Sequence, residues 1–260
     1  MGTVIAVANQ KGGVGKSTTA HNLAFAIANR GKTVLAIDND LEGSLTVCFG
    51  YNPDELEKQQ KTLYFSLVGD TPLSTLALGE NPALIASSML HATAETELIT
   101  NALLGGASSL RERLAEVKER FDFILIDCPP SLGMLTLNGL SAADAVLIPV
   151  KTEYLSANGV VLFLETVRKV RARQNPRLRI LGVLPTEFHA THTHDNEVLE
   201  VLRTLLAEQE IPIFEPVNAS TAFRKASAAG QPAVTLTPDL PGSQSYYKLA
   251  DKIIAYAAER

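Results

Sequence analysis

Within the seven residues Lys11–Ser17 the sequence places two lysines, three glycines and a serine, in the run "QKGGVGKST". Glycines let a backbone approach phosphate oxygens closely, and the peptide N–H groups at a helix start attract anions. The pattern G-x-x-x-x-G-K-[ST] describes such a loop, but its leading glycine would fall at position 10, where Gln10 stands. Gly12, Gly13, Val14, Gly15, Lys16, Ser17 and Thr18 are therefore the expected cradle. Lys16 is placed to contact β- and γ-phosphates, and the Ser17 hydroxyl to ligate Mg²⁺. Lys11 is surplus to that pattern. Two readings of it stay open: a lysine in solvent at the rim of the loop, or a cation reaching the phosphates held by a second copy of the chain, in the manner of an arginine finger.

Two acidic stretches complete the chemistry. "FDFILIDCPPS" ends an apolar run on Asp127, where a carboxylate can reach Mg²⁺, usually through water. "AIDNDLEG" sets Asp38 and Asp40 at the end of another apolar run. Two such close carboxylates are costly without a cation or water to use them, although a solvated turn is the plainer reading. ATP and Mg²⁺ are the expected cofactors.

The elements that must position these groups follow from periodicity. Short apolar runs at 3–9, 33–38, 83–88, 121–127, 145–150 and 179–184 read as strands. Their near-continuous hydrophobicity suits a parallel sheet covered on both faces. Helical patterns follow the glycine loop, with Ala20, Leu23, Ala24 and Ile27 on one face and Gly31 as the expected C-terminal cap, and recur at 108–120, 157–173 and 195–209. The expected fold is α/β, a doubly wound, mostly parallel sheet flanked by helices on both faces, as in P-loop NTPases. Ligands of such sheets bind beyond the carboxyl ends of the strands, where the motifs fall.

The 260 residues suit one α/β domain spanning 1–260. A net charge of −5 requires any nucleic-acid contact to come from a local patch. The only two cysteines, Cys48 and Cys128, lack metal or disulfide spacing and fit a reducing cytoplasm. The start reads as a strand and not a leader, "MGTVIA" lacks the Ser or Thr of a myristoylation signal, and no apolar run approaches a membrane span.

Taken together, "KGGVGKST", "DND", "DCPPSLGMLTLNGL", "ADAVLIPVKTEYLSANG", "GVLPTEF" and "FRKASAAGQPA…PGSQSYYKLADKI" resemble the deviant Walker A ATPases, specifically the ParA-type partition proteins. The resemblance implies an ATP-dependent sandwich homodimer with Lys11 as the signature lysine. It also implies that Asp40 positions the attacking water and that Asp38 and Asp127 hold the magnesium shell. Hydrolysis would be slow and stimulated by a ParB-like adaptor, and the ATP dimer would bind DNA non-specifically at the nucleoid to distribute a plasmid, chromosome or protein cargo. Three departures stand out. Leu41-Glu42 replaces a frequent Pro-Gln, Thr191 stands about where relatives carry a DNA-contacting arginine, and no N-terminal helix-turn-helix domain is expected.

Weaker signals remain. "RKVRARQNPRLR" (168–179), including Arg168, Lys169 and Arg171, either grips DNA phosphates or complements a helix dipole. Arg224 and Lys225, with Lys248 and Lys252, form a second candidate surface. Thr186 and the "EPVN" loop with Pro216 and Asn218 either border the adenine base or are ordinary turns. His189, His192 and His194 have no recognisable companion carboxylate and read as a polar surface loop. The final helix puts Tyr246, Leu249, Ala250, Ile253 and Ala257 on one face, with a polar face too balanced in charge for a membrane anchor. That weighs against a MinD-like membrane-cycling regulator. A metabolic amidoligase-like ATPase on the same fold is the third reading, and an iron–sulfur reductase would need paired cysteines that are absent.

Overall fold

The computed structural model describes residues 2–100, 106–153 and 156–259. Strand β1 (Thr3–Val7) leads through the glycine loop into helix α1 (Lys16–Ala28) and strand β2 (Val34–Asp38). Three short helices follow, α2 (Ser44–Cys48), α3 (Pro53–Lys58) and α4 (Tyr64–Leu67), then a 3₁₀ turn at Leu73–Thr75 and strand β3 (Ala83–Ile85). Helices α5 (His91–Thr100) and α6 (Ser109–Leu114) precede β4 (Phe123–Asp127), α7 (Met134–Ala142), β5 (Ala145–Lys151), α8 (Ser156–Arg173) and β6 (Arg179–Thr186). The chain closes with α9 (Thr193–Ala207), α10 (Thr221–Ala228), α11 (Ala233–Leu236) and α12 (Pro241–Ala258).

All six strands run parallel in the order β3-β2-β4-β1-β5-β6. Their side chains alternate between two cores, which explains why the strands read as continuous apolar runs. Val4, Ala6, Ile124, Ile126, Val146 and Ile148 face one core, with α4 to α9 over it. Ile5, Val7, Val34, Ala36, Leu125 and Leu147 face the other, under α1, α10, α11 and α12. The expected doubly wound sheet is the one observed. In α12 the stripe Tyr246, Leu249, Ala250 and Ile253 is buried in that second core, so its apolar face is taken up by packing. No helix among the described residues is long and apolar enough to cross a membrane.

Several boundaries differ from expectation. Helix α1 ends at Ala28 with Asn29 as its cap, and Gly31, at φ +75°, comes two residues later to close the turn. The pattern at 108–120 is helical only to Leu114. Beyond it the backbone tightens into i→i+3 turns, which seat Val117 in the core and bring the Lys118 carbonyl to the Gly2 N–H at 3.0 Å. Strand β3 is three residues long, after which Ala86 makes an isolated bridge to Thr62.

Candidate active site

Register is what gathers the motifs. Val7 pairs with Asp127 and Asp38 pairs with Asp127, so the glycine loop and both acidic stretches leave the sheet at one level. Asn9 fastens the loop at its base: its Nδ2 donates to the Pro149 carbonyl at 2.7 Å, and its Oδ1 accepts from the Lys11 N–H at 3.1 Å. Gly13 and Gly15 take left-handed φ of +67° and +78°, which a side chain would strain. A Cβ added at Gly12 or Gly13 would meet nothing within 4 Å, so this face of the loop is open to a ligand. Gly15 caps α1 without any side-chain hydrogen bond, leaving first-turn N–H groups for an anion.

Lys16, the first residue of α1, is 7% exposed, and its Nζ donates to the Lys11 carbonyl at 3.2 Å. That bond curls the loop around the ammonium. The opposite side is braced by β6, where Thr186 Oγ1 donates to the Val14 carbonyl at 2.9 Å. Thr19 and Tyr246 hydroxyls meet at 3.2 Å, tying α1 to α12.

Below the loop lie two fully buried carboxylates. Asp38 is well supplied with donors: the Thr46 N–H at 2.8 Å and hydroxyl at 2.7 Å reach one oxygen, and the Asp40 N–H reaches the other at 3.2 Å. Burial nevertheless raises its pKa to about 7, with the Asp40 charge adding to the rise and the three hydrogen bonds opposing it. Neither oxygen of Asp127 has a hydrogen-bond partner in good geometry among the described residues, and Ser17 is the side-chain donor that approaches it. Burial first, and the Asp38 charge second, push it well above the ordinary carboxylate range, while nearby Ser17 and Lys16 pull it down. A buried carboxylate so poorly supplied with donors, beside a second one, is a site short of positive charge. An oxygen-seeking dication fits it.

Above these residues a cleft of about 850 Å³ opens, walled by Gly12, Gly13, Lys16, Ser17, Asp40 and Thr186 among others. Asp40 is 5% exposed, and its Oδ1 accepts from the Glu42 N–H at 3.1 Å. Thr18, Asn218 and Arg224 also line the cleft. Pro216 does not, its carbonyl accepting from Ser245 Oγ at 2.8 Å, and Lys225 lies off the wall as well. Val14 is buried beneath the loop. Arg168 and Arg171 border a separate hollow of about 310 Å³ with Ala172 and Pro176, while Lys169 is exposed beside them on α8. Arg168 donates to Gln209 Oε1 at 2.7 Å.

Lys11 is 39% exposed in its side chain, and its Nζ is 2.5 Å from Glu153 Oε2, just beyond β5. Hydrogen bonding to Lys11 holds the Glu153 carboxyl below its usual range. Sequence reasoning did not single out Glu153; its one signal was membership of the quoted "VKTEYLSANG" motif, whose Tyr154 and Leu155 lie outside the described residues. Nor did it single out Thr46, the chief partner of Asp38.

Residues 2–180 match the AAA domain family. Over 255 residues the chain is 38% identical to the chromosome-partitioning ATPase Soj of Thermus thermophilus, covering 98% of this chain and 96% of that one. The chain belongs to the ParA-type ATPases. The sporulation initiation inhibitor protein Soj of Bacillus subtilis is 36% identical, covering 98% of this chain and 99% of that protein. Among solved structures, cobyrinic acid a,c-diamide synthase from Mycobacterium smegmatis, with bound ATP analog and magnesium, matches at 34% identity and a TM-score of 0.85, covering 100% of this chain and 98% of that one. This ParA-type protein is accordingly a P-loop ATPase, one that hydrolyses ATP, and a positioning ATPase in the broad sense.

Proposed function

We propose that the chain is an ATP-dependent dimerising switch that binds DNA non-specifically and positions a plasmid, chromosome or protein cargo, its hydrolysis stimulated by a ParB-like adaptor. The observation that carries this reading is the contrast between the two lysines of one loop. Lys16 is buried and turned inward, whereas the Lys11 side chain is partly exposed at the rim and, among the described residues, its ammonium pairs with the surface carboxylate Glu153. An exposed ion pair of this kind is worth about 0–1 kcal/mol, so exchanging it for a neighbour's phosphates costs little.

In this reading Lys16, with Gly12, Gly13, Val14, Gly15 and Thr18, binds the phosphates, and Asp40 orients the attacking water at the cleft wall. Ser17, Asp38 and Asp127 hold Mg²⁺, and the poorly partnered Asp127 oxygens support that assignment. The dication would neutralise charge on the β- and γ-phosphates. Thr186 and Asn218 border the base. DNA contact falls to Arg168, Lys169, Arg171, Arg224 and Lys225.

The test is retention on non-specific DNA with ATP against ADP, titrated with salt. Wild type is expected to bind only with ATP, and Lys16→Ala not at all. Removing Arg168 and Arg171 should lessen the salt slope by about 0.9 for each phosphate they neutralise. Equal retention with ADP and ATP overturns the proposal. Lys11→Ala should keep ATP binding yet lose stimulated hydrolysis, and Asp40→Ala should persist as an ATP dimer by light scattering.

The relative's synthase name raises an amidoligase reading. Cys48 and Cys128 are both buried, and burial raises both thiols, so neither is poised as a nucleophile for releasing ammonia. ATP turnover that depends on a small carboxylic acid would favour that reading. Membrane cycling loses support from the buried face of α12, and ATP-dependent sedimentation with liposomes would revive it.

A further inference from the structure

At the turn from β6 into α9, three ligating side chains converge. His189, His192 and Asp195 each offer one ligand atom, and these atoms all lie within 4.8 Å of one another. His189 Nδ1 is 3.4 Å from Asp195 Oδ2, and His192 Nδ1 is 3.9 Å from Asp195 Oδ1. The two imidazoles stack, with centroids 4.5 Å apart and planes 13° from parallel. The histidine run was expected to be a plain surface loop for want of a carboxylate. Asp195, in the first turn of α9, is that carboxylate.

The cluster is built by the backbone as well as the side chains. The His189 N–H donates to Asp195 Oδ2 at 2.8 Å, folding the loop back over the helix start, and Thr152 Oγ1 donates to the same oxygen at 3.0 Å. Asp195 Oδ1 has no hydrogen-bond donor among the described residues, and the side chain is only 10% exposed.

We propose that His189, His192 and Asp195 bind a transition-metal dication of the zinc class, at a site separate from that of the nucleotide's magnesium. Two imidazole nitrogens and one carboxylate oxygen suit Zn²⁺, Co²⁺ or Ni²⁺, whereas Mg²⁺ prefers oxygen alone. A tetrahedral centre with bonds of about 2.1 Å separates its ligand atoms by about 3.4 Å. His189 Nδ1 and Asp195 Oδ2 already stand at 3.4 Å, while His192, whose Nδ1 lies 3.9 Å from the other oxygen, Oδ1, must turn to bring its nitrogen to the same centre. Both histidines are about half exposed, so rotation about χ1 and χ2 meets little resistance. Three protein ligands leave a fourth position for water. His189 also lines the ATP cleft, so an occupied site sits at its rim. Through Thr152 it is braced on the segment carrying Glu153, the partner of Lys11.

The test is a Co²⁺ titration of the full chain, without nucleotide and with Mg²⁺ in excess, followed by visible absorption. Wild type is expected to bind one Co²⁺ per chain and to release it to Zn²⁺. His192→Ala should weaken binding by about tenfold or more, at least the cost of losing an outer partner of a metal ligand. His192 caps α9 without a side-chain hydrogen bond, so the variant keeps its fold. His194→Ala, in the same run but outside the cluster, should bind as wild type does. Absence of a saturable absorption band, a band unchanged in His192→Ala, or an equal loss in His194→Ala overturns the proposal.

Discussion

Replacing Asp127 with asparagine should stabilise the nucleotide-free protein while removing its response to magnesium. The carboxylate is fully buried, has no well-formed hydrogen bond among the described residues beyond the approach of Ser17, and lies in register with Asp38. Because its folded pKa is raised, the native state binds more protons than the unfolded chain above the ordinary value of 3.8, and stability falls as pH rises through that window. Each pH interval of one between the ordinary and the raised pKa costs the folded state about 1.4 kcal/mol. Asparagine escapes this cost but leaves a buried amide short of partners, at about 1–3 kcal/mol. The variant gains wherever the first cost exceeds the second, and each kcal/mol of gain is worth roughly 2–4 °C in Tm for a protein of this size. Thermal unfolding of wild type and Asp127→Asn, each alone, with ATP and EDTA, and with ATP and Mg²⁺, reads both effects. Wild type should gain about 2.7 kcal/mol from ligand at a hundredfold excess over Kd, with a magnesium-dependent share that the variant lacks. A variant no more stable than wild type without nucleotide refutes the electrostatic argument. A retained magnesium increment refutes the assignment of Asp127 to the metal.

Thr186→Val removes the hydroxyl that satisfies the buried Val14 carbonyl and should cost about 1–3 kcal/mol of stability and weaken nucleotide binding, as urea melts and fluorescent-nucleotide titrations would show. His21 is buried against Phe25 and Phe49 with neither ring nitrogen hydrogen-bonded, and burial lowers its pKa to about 4. The unfolded chain binds the proton first, so His21 takes away up to about 3 kcal/mol as pH falls from 6.5 to about 4. His21→Leu should flatten that acid limb in melts run across the window, and an unchanged limb would show that folded His21 takes up its proton as readily as the unfolded chain does. Tyr246→Phe loses the hydroxyl contact with Thr19 between α12 and α1 and should cost about 1 kcal/mol by the same melts.

Elements whose burial covers both faces were legible because their sequence signal is strong and local. All six strands were anticipated, as were the longer helices α1, α8, α9 and α12, since each presents a continuous run or a stripe that no other structure buries as well. Helices α2, α3, α4 and α11 are one or two turns long and hold too few residues for a period to register. The helix expected at 108–120 is observed as α6 but stops at Leu114, because tertiary contacts of Val117 and Lys118 outweigh the local preference of "AEVKER" for helix. In the site, motif residues could be named but their partners could not. Thr46 lies eight residues from Asp38, and Glu153 lies 142 from Lys11. Spacing in sequence carries no information about such pairs. Asp195 went unread as a companion to the histidines for a simpler reason: in sequence it is one helix-starting acid among several.

The two buried carboxylates also tie ligand binding to the sheet itself. Asp38 and Asp127 are the last residues of adjacent strands, so the electrostatic cost they carry is lodged in β2 and β4 and not in a mobile loop. Asp38 gains only partial relief from Thr46 at the start of α2, and Asp127 gains less, from Ser17 and Lys16. A cation entering the cleft would relieve both at once, and would stiffen the Asp40 loop through the hydrogen bond its N–H already makes to Asp38. Lys11 is coupled to the same loop, since its carbonyl holds Lys16 while its ammonium holds Glu153. Drawing Lys16 toward a phosphate must therefore disturb the residue whose side chain sits at the rim. In the proposed switch no distant relay would be needed: one loop, from Asn9 to Ser17, would register occupancy with Lys16 and present the result with Lys11.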